Sequence, residues 1–321
     1  MRTHRLGSDG PELSVVGYGA WEAGGTAWGP NRSDEAVVEA MQAALDAGIN
    51  WIDTAEVYGD GVSESLVGRA IAGRRDEAVV ASKVAPGPEG TGFRPEQIVA
   101  ACEASLGRLG TDRIDLYQLH WPDESGVPVE ESWGAMAGLQ DAGKVRWVGV
   151  SNFDRDLIER CEPLRHVDSL QPEFSMLSRR NAETIAWCGE VGTGVVSYGP
   201  LAFGLLTGAI TTETTFAEGD WRGGDDEPDD PDDVDLFAPG VLPAVLALVE
   251  RLRPISARLE VSLAQLALAW NVHQPGVTSA IAGSRDPGHV RSNAEAGDLT
   301  LDGAVLAEID ALLDDSTLMA G

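Results

Sequence analysis

Four polar residues that could act together on a carbonyl group follow three successive strand-like segments. Asp53 closes NWID at 50–53, Tyr58 stands in the loop that follows, Lys83 closes VVASK at 79–83 and His120 closes IDLYQLH at 114–120. A parallel barrel gathers the C-terminal ends of its strands on one face, where such folds place their chemistry. A phenol, an ammonium, a carboxylate and an imidazole suffice for acid–base work there. A free phenol, with a pKa of about 10, is a poor proton donor at neutral pH. An ammonium within about 4–6 Å favours phenolate and is expected to lower that value. Lys83 can supply the ammonium, Asp53 can hold it charged and oriented, and His120 can hydrogen-bond a substrate carbonyl or join the proton relay. Hydride would then add to the carbonyl carbon while Tyr58 protonates the oxygen. No side chain donates hydride, so a reduced nicotinamide is implied. Lys83 is also one of only two lysines, with Lys144, among 23 basic residues. A chain that otherwise uses arginine and keeps a lysine at a strand end points to a need for an amine there.

Singly, each residue has an ordinary structural reading. Tyr58 could be packing, Asp53 a turn or helix cap, Lys83 a strand terminus and His120 a satisfied buried histidine. It is the four types in order at strand ends that favour chemistry.

Eight short β-rich runs recur at 14–18, 50–53, 78–82, 114–119, 146–150, 168–171, 194–197 and 277–281. Between them apolar residues fall at helical spacing. Ser33 can cap DEAVVEAMQAALDAG, whose acidic first turn suits the helix dipole. Pro95 opens PEQIVAACEASLGRLG and Gly110 stops it. Strands alternating with helices imply parallel βαβ units, and eight of them imply a (β/α)8 TIM barrel in the α/β class. Residues 2–14, turning at Gly7 to Gly10, are expected to form an N-terminal β-hairpin that plugs the barrel. Residues 200–236 form a long loop after the seventh strand, ending in the acidic run GGDDEPDDPDDVD, read as solvated. Helical periodicity at 302–313 places a last helix outside the barrel. With no linker and no repeat below the βα unit, 1–321 reads as a single domain.

The formal net charge is -29, with 52 acidic residues. That balance excludes nucleic acid and anionic membranes as partners, since both need basic surface. The start, MRTHRLGSDGPE, has no apolar h-region, and the apolar stretch at 237–249 is too short to span a bilayer. Cys102, Cys161 and Cys188 are widely spaced and form no metal-ligand pattern, which reads as reduced packing thiols of a cytoplasmic protein. A monomer or weak homo-oligomer is expected.

The stretch NWIDTAEVYGDGVSESLVGRAI (50–71) resembles the signature of the aldo-keto reductases, and VVASKV (79–84), LYQLHWPD (116–123) and VGVSNF (148–153) fit that family in order. SYGPLAFGLLTG (197–208) and TTFAEGDWR (214–222) resemble its bacterial general-stress and inositol-locus branch. The resemblance implies the roles given above for Tyr58, Lys83, Asp53 and His120. It further implies that Ser151, Asn152 and Gln171 hydrogen-bond the nicotinamide carboxamide and that Tyr198 stacks on its ring. Gly199, Leu201 and Gly204 would let backbone N–H groups approach the pyrophosphate, and Gly19, Ala20 and Trp21 are further expected cofactor contacts. In GSRDPGHVRSN (283–293), which resembles the family's adenosine-phosphate loop, Ser284 and Arg285 would meet a 2′-phosphate and Asn293 the adenine, with Gly283 and His289, the latter where Gln or Arg is frequent, as further cofactor contacts. Ser292 stands where the family commonly has Glu. NADP(H) is the preferred cofactor and NAD(H) a possible one; no GxGxxG follows a strand, so a Rossmann site is not supported. The substrate would be a small carbonyl compound bound by Trp21, Tyr58, His120 and Trp121, with Trp221 near the same mouth. Trp51, inside a strand, reads as core. The family also includes nucleotide-sensing auxiliary subunits of potassium channels, and that role is the alternative. A barrel lyase using Lys83 as a Schiff base would need Lys83 free of Asp53.

Such acidity suits life in high salt, where screening over roughly 3 Å at 1 M suppresses self-repulsion; a GC-rich genome is the other source of an Arg-rich, Asp-rich chain. Salt adaptation predicts that activity and melting temperature rise together as KCl is raised to molar levels. A flat response would assign the acidity to genome composition.

Overall fold

All eight runs become strands of one closed parallel barrel in the computed structural model, which describes residues 1–25, 27–29, 32–87, 92–223 and 235–315. A hairpin of β1 (Thr3–Arg5) and β2 (Glu12–Ser14) precedes it. The barrel strands are β3 (Val16–Gly19), β4 (Trp51–Asp53), β5 (Val79–Val84), β6 (Ile114–Leu119), β7 (Val145–Ser151), β8 (Ser169–Gln171), β9 (Gly194–Ser197) and β10 (Val277–Ala282). Each pairs with the next in sequence, and β10 closes on β3. The helices α1 (Asp34–Asp46), α2 (Val62–Ala70), α3 (Pro95–Leu109), α4 (Val129–Asp141), α5 (Arg155–Cys161) and α6 (Ala182–Val191) follow β3 to β8 in turn. Then α7 (Leu242–Arg258) and α8 (Leu263–Val272) follow β9, and α9 (Pro287–Ala296) and α10 (Gly303–Asp314) follow β10.

Local chemistry sets the helix ends. The Ser33 side chain accepts from the Ala36 amide at 3.3 Å, and Pro95 opens α3 while Gly110 ends it in the left-handed region at φ 64°. Ser262 and Gln265 close a reciprocal capping box on α8. One boundary differs from the sequence reading. The run expected at 14–18 is divided, because Ser14 pairs with Thr3 in the hairpin whereas Val16 pairs with Ala280 in the barrel. The run SVVGY stays β-rich through the change of partner and does not mark it.

The hairpin plugs the lower barrel as expected. Leu6 and Leu13 are buried against Trp51, Ala81, Leu116, Val196 and Ile281, which point into the lumen. The Trp51 ring crosses the lumen over Gly17, filling the space a Cβ there would take, and its Nε1 donates to the Ser14 carbonyl at 3.1 Å and to Ser279 Oγ at 3.0 Å. Packed in this way, the lumen leaves only its C-terminal end for a ligand. Cys102, Cys161 and Cys188 are buried free thiols, each pushed up to about 12 by burial. Residues 224–234, which hold most of the acidic run, lie outside the described residues. Among the described residues no helix is long and apolar enough to cross a membrane.

Gly17→Ala forces a methyl group against the Trp51 ring. It is expected to lower the unfolding free energy by about 1–3 kcal/mol, the usual cost of overpacking, measured by urea denaturation.

Candidate active site

Lys83 is wholly buried at the upper end of β5, one of the largest fully buried side chains. Its Nζ donates to Asp53 Oδ2 at 2.6 Å, to the Thr54 carbonyl at 3.0 Å and to the Tyr58 hydroxyl at 3.1 Å. An ammonium has three protons, and each has a partner here. The other Asp53 oxygen, Oδ1, accepts from Gln171 Nε2 at 2.8 Å. The carboxylate is therefore held between β5 and β8. Burial works against charge on Lys83, but Asp53 and Tyr58 outweigh it and keep the ammonium above its ordinary value.

Tyr58 is fixed by its loop. Gly59 takes φ 63°, and the Gly24 carbonyl fills the place a Cβ would need. This close backbone contact joins the Tyr58 loop to the 3-10 turn Trp21–Gly24. Ser63 Oγ donates to the Ala20 carbonyl at 2.7 Å, and the Ala20 amide donates to the Asp53 carbonyl at 2.8 Å. Behind Lys83, the buried Glu64 accepts from Ser82 Oγ at 2.5 Å and from Arg108 Nε at 2.6 Å, tying α2 to β5 and α3. Glu64 and Arg108 had no place in the sequence reading, since only the fold shows that a carboxylate lies under the strand.

One expectation fails. Tyr58 was expected to be more acidic than a free phenol, yet burial and, secondarily, the Asp53 charge raise its pKa against the pull of Lys83. Asp53 neutralises much of the field that Lys83 would exert. The phenol thus stays protonated at neutral pH, the form a proton donor requires. His120 faces it with ring centroids 5.5 Å apart. Burial, with the nearby Lys83 charge, drops the imidazole well below its ordinary value, so His120 is neutral near pH 7. Its Nδ1 is buried without a hydrogen-bond partner.

A cleft of about 940 Å³ opens above this quartet. All the anticipated cofactor positions line it except Ala20, which is buried beneath. Asn152 at φ 58° and Phe203 at φ 54° line it in left-handed conformations that cost energy for non-glycine residues, and the buried Ala202 beside Phe203 takes φ 44°. Ser151 Oγ and the Asn152 amide both donate to the Gln171 carbonyl, at 2.8 and 3.1 Å. That linkage joins the prospective carboxamide contacts to the residue holding Asp53.

The mouth is aromatic. Trp21, 39% exposed, stacks near Tyr58 at 6.2 Å and meets Trp28 edge-on at 4.9 Å. Trp121 lines the cleft and packs on His120 at 4.5 Å. Trp221 stacks behind Trp21 at 6.1 Å and does not itself line the cleft. Trp28, Phe203 and Arg222 are lining residues that the sequence reading missed. Arg222 lies over Trp28 at 4.9 Å and is gripped by Asp220 at 2.9 and 2.6 Å. A second Trp in the Gly-rich stretch after β3 was the available signal.

At the far end, Arg285 is engaged by two neighbours. Its Nε lies 3.5 Å from Glu22 Oε2, and its NH2 donates to the Trp28 carbonyl at 2.7 Å. Ser284 gives its carbonyl to the Tyr18 hydroxyl at 2.9 Å. His289 and Asn293 line the same end.

Removing one ion of a buried pair strands the other. Lys83→Met is expected to cost about 3–5 kcal/mol of unfolding free energy, and adding Asp53→Asn to recover part of it; thermal and urea unfolding of the two variants provides the check.

Comparison with known proteins agrees with this geometry. The profile described as Aldo/keto reductase family matches residues 15–314. The chain is 36% identical over 324 residues to aldo-keto reductase YhdN of Bacillus subtilis (strain 168), covering 98% of this chain and 95% of that protein. It is 31% identical over 318 residues to a "Probable voltage-gated potassium channel subunit beta" of Arabidopsis thaliana, covering 93% and 92%. Among solved structures, the glycerol dehydrogenase of Gluconobacter oxydans superposes with a TM-score of 0.85 at 32% identity, covering 98% of this chain and 96% of that one. An aldo/keto reductase of Klebsiella pneumoniae in complex with NADP and acetate superposes at 0.73 and 31% identity, covering 97% and 95%. The chain belongs to the aldo/keto reductase family.

Proposed function

We propose that this protein reduces aldehydes or ketones to alcohols with a nicotinamide dinucleotide, with Tyr58 as the proton donor. The observation that carries the reading is the three-way contact of the Lys83 ammonium with Asp53, Thr54 and Tyr58 beneath the mouth of a large cleft. The bound dinucleotide would supply the hydride that adds to the carbonyl carbon. Every other step belongs to this chain. Trp21 and Trp121 exclude water and seat the apolar part of a substrate. The neutral imidazole of His120 orients the carbonyl oxygen without adding charge. As negative charge develops on that oxygen, the Tyr58 O–H bond breaks toward it, and Lys83 stabilises the phenolate left behind. Asp53, clasped by Gln171, keeps the ammonium aimed at Tyr58.

Tyr198, Ser151, Asn152 and Gln171 would hold the nicotinamide end, and Gly199, Leu201 and Gly204 the pyrophosphate. Gly283, Ser284, Arg285, His289 and Asn293 would hold the adenosine end. Gly19 and Gly283 fit this role, because the Cβ that a larger residue would place at Gly283 meets the Gly19 carbonyl and narrows the cleft. NADP(H) is the favoured cofactor, supported by the likeness to the Klebsiella complex with NADP, and NAD(H) is a possible one, supported by 31% identity to the NADH-specific methylglyoxal reductase of Escherichia coli (strain K12).

A nucleotide-sensing auxiliary role remains the second reading, favoured by the likeness to the plant protein named for a channel beta subunit. The Schiff-base lyase reading loses its basis, because Lys83 is bound to Asp53 and kept protonated. We further propose a cytoplasmic location and a small-molecule substrate.

Tyr58→Phe is expected to lower turnover of 4-nitrobenzaldehyde with NADPH or NADH by about 10²-fold or more, while nucleotide still quenches tryptophan emission. Turnover preserved in the variant would remove Tyr58 from the donor role. Quenching without turnover in the unaltered protein would support the sensor.

A further inference from the structure

The end of the cleft assigned to adenosine carries its own carboxylates. Arg285 is the cation that the family resemblance assigns to a 2′-phosphate, and its side chain is 14% exposed. Glu22, on the turn after β3, lies against it at 3.5 Å and is 27% exposed. Glu22 and Arg285 both line the cleft, so this ion pair borders the volume a dinucleotide would enter. Burial raises the Glu22 pKa, opposed by the charges of Arg285, Arg222 and His289 around it. The helix that could help an anion is also occupied. Asp286 Oδ1 accepts from the Gly288 amide at 2.8 Å and the His289 amide at 3.2 Å, so an internal carboxylate takes the first amides of α9. Its Oδ2 meets the exposed Arg32 at 3.4 Å.

From this geometry we infer that Glu22 is a specificity-determining residue that restrains Arg285 and weakens discrimination in favour of a 2′-phosphorylated dinucleotide. A guanidinium already paired with a carboxylate has little net field with which to attract a phosphate. The phosphate must also approach Glu22, a like charge a few ångströms from its intended partner. A dinucleotide with a free 2′-hydroxyl meets no such repulsion at that position, and the pyrophosphate common to both forms does not distinguish them. The inference rests on the proposed use of a nicotinamide dinucleotide and adds what sets the choice between its two forms. It gives Glu22 no part in the reaction itself.

The test is equilibrium binding of NADPH and NADH to the full chain, followed by quenching of tryptophan emission at one fixed ionic strength. Glu22→Gln keeps the shape of the side chain and removes its charge; Glu22→Ala repeats the test without the amide. The ratio of the NADH to the NADPH dissociation constant is expected to rise on the order of tenfold in both variants, carried by tighter NADPH binding. A ratio unchanged within about twofold, or one that moves toward NADH, would overturn the role of Glu22 while leaving the proposed function standing. No quenching by either nucleotide in the unaltered protein would instead overturn the proposed function, and this inference with it.

Discussion

An ammonium and a carboxylate buried together in the barrel, Lys83 and Asp53, are the constraint on which the site depends. Each ion alone would cost several kcal/mol to remove from water. The cost is offset only because every polar atom of the pair is engaged: Nζ with Asp53, Thr54 and Tyr58, and the second carboxylate oxygen with Gln171. That requirement fixes the relative positions of β4, β5 and β8 and the loop bearing Tyr58. The hydroxyl of Tyr58 is thus one of the partners that make a buried charge tolerable. Its position follows from the energetics of the pair.

The rest of the fold serves that arrangement. The hairpin and Trp51 fill the lower lumen, so nothing reaches the pair from below. The Gly24–Gly59 contact couples the Tyr58 loop to the turn carrying Trp21 and Glu22, so the aromatic mouth and the Arg285 end of the cleft are joined through one segment. The Glu64 carboxylate holds Ser82, the neighbour of Lys83, and the Arg108 side chain from behind. A consequence is that Tyr58 carries two opposing influences. Lys83 favours its ionised form; burial and Asp53 favour the protonated one and prevail.

Much of this was legible in the residues. Strand ends bearing Asp53, Lys83 and His120 are visible because strand runs are short, alternate with helical spacing and end on polar residues with no local structural purpose. The hairpin was legible from Gly7 and Gly10, and the ends of α1 and α3 from Ser33, Pro95 and Gly110. What was not legible depends on tertiary pairing. Glu22 and Arg285 are 263 positions apart, and nothing in either segment announces the other. Trp28 was not singled out, because only the assembled cleft shows the wall it forms. The direction of the Tyr58 shift was misjudged because spacing reports that a cation is near but not how deeply the phenol is buried. Ser14 and Val16 were merged because one β-rich run can serve two partners.

The central claim is that Lys83 acts on the reaction through Tyr58, and a double-mutant cycle on the chemical step measures it. Single-turnover reduction of 4-nitrobenzaldehyde would be followed in the unaltered protein, Tyr58→Phe, Lys83→Met and the double variant, with rates scaled to the folded, nucleotide-bound fraction. The account predicts that the double variant is no slower than Tyr58→Phe alone, within about threefold, because residues that work as one unit lose their effect together. Losses that multiply across the two sites would contradict it.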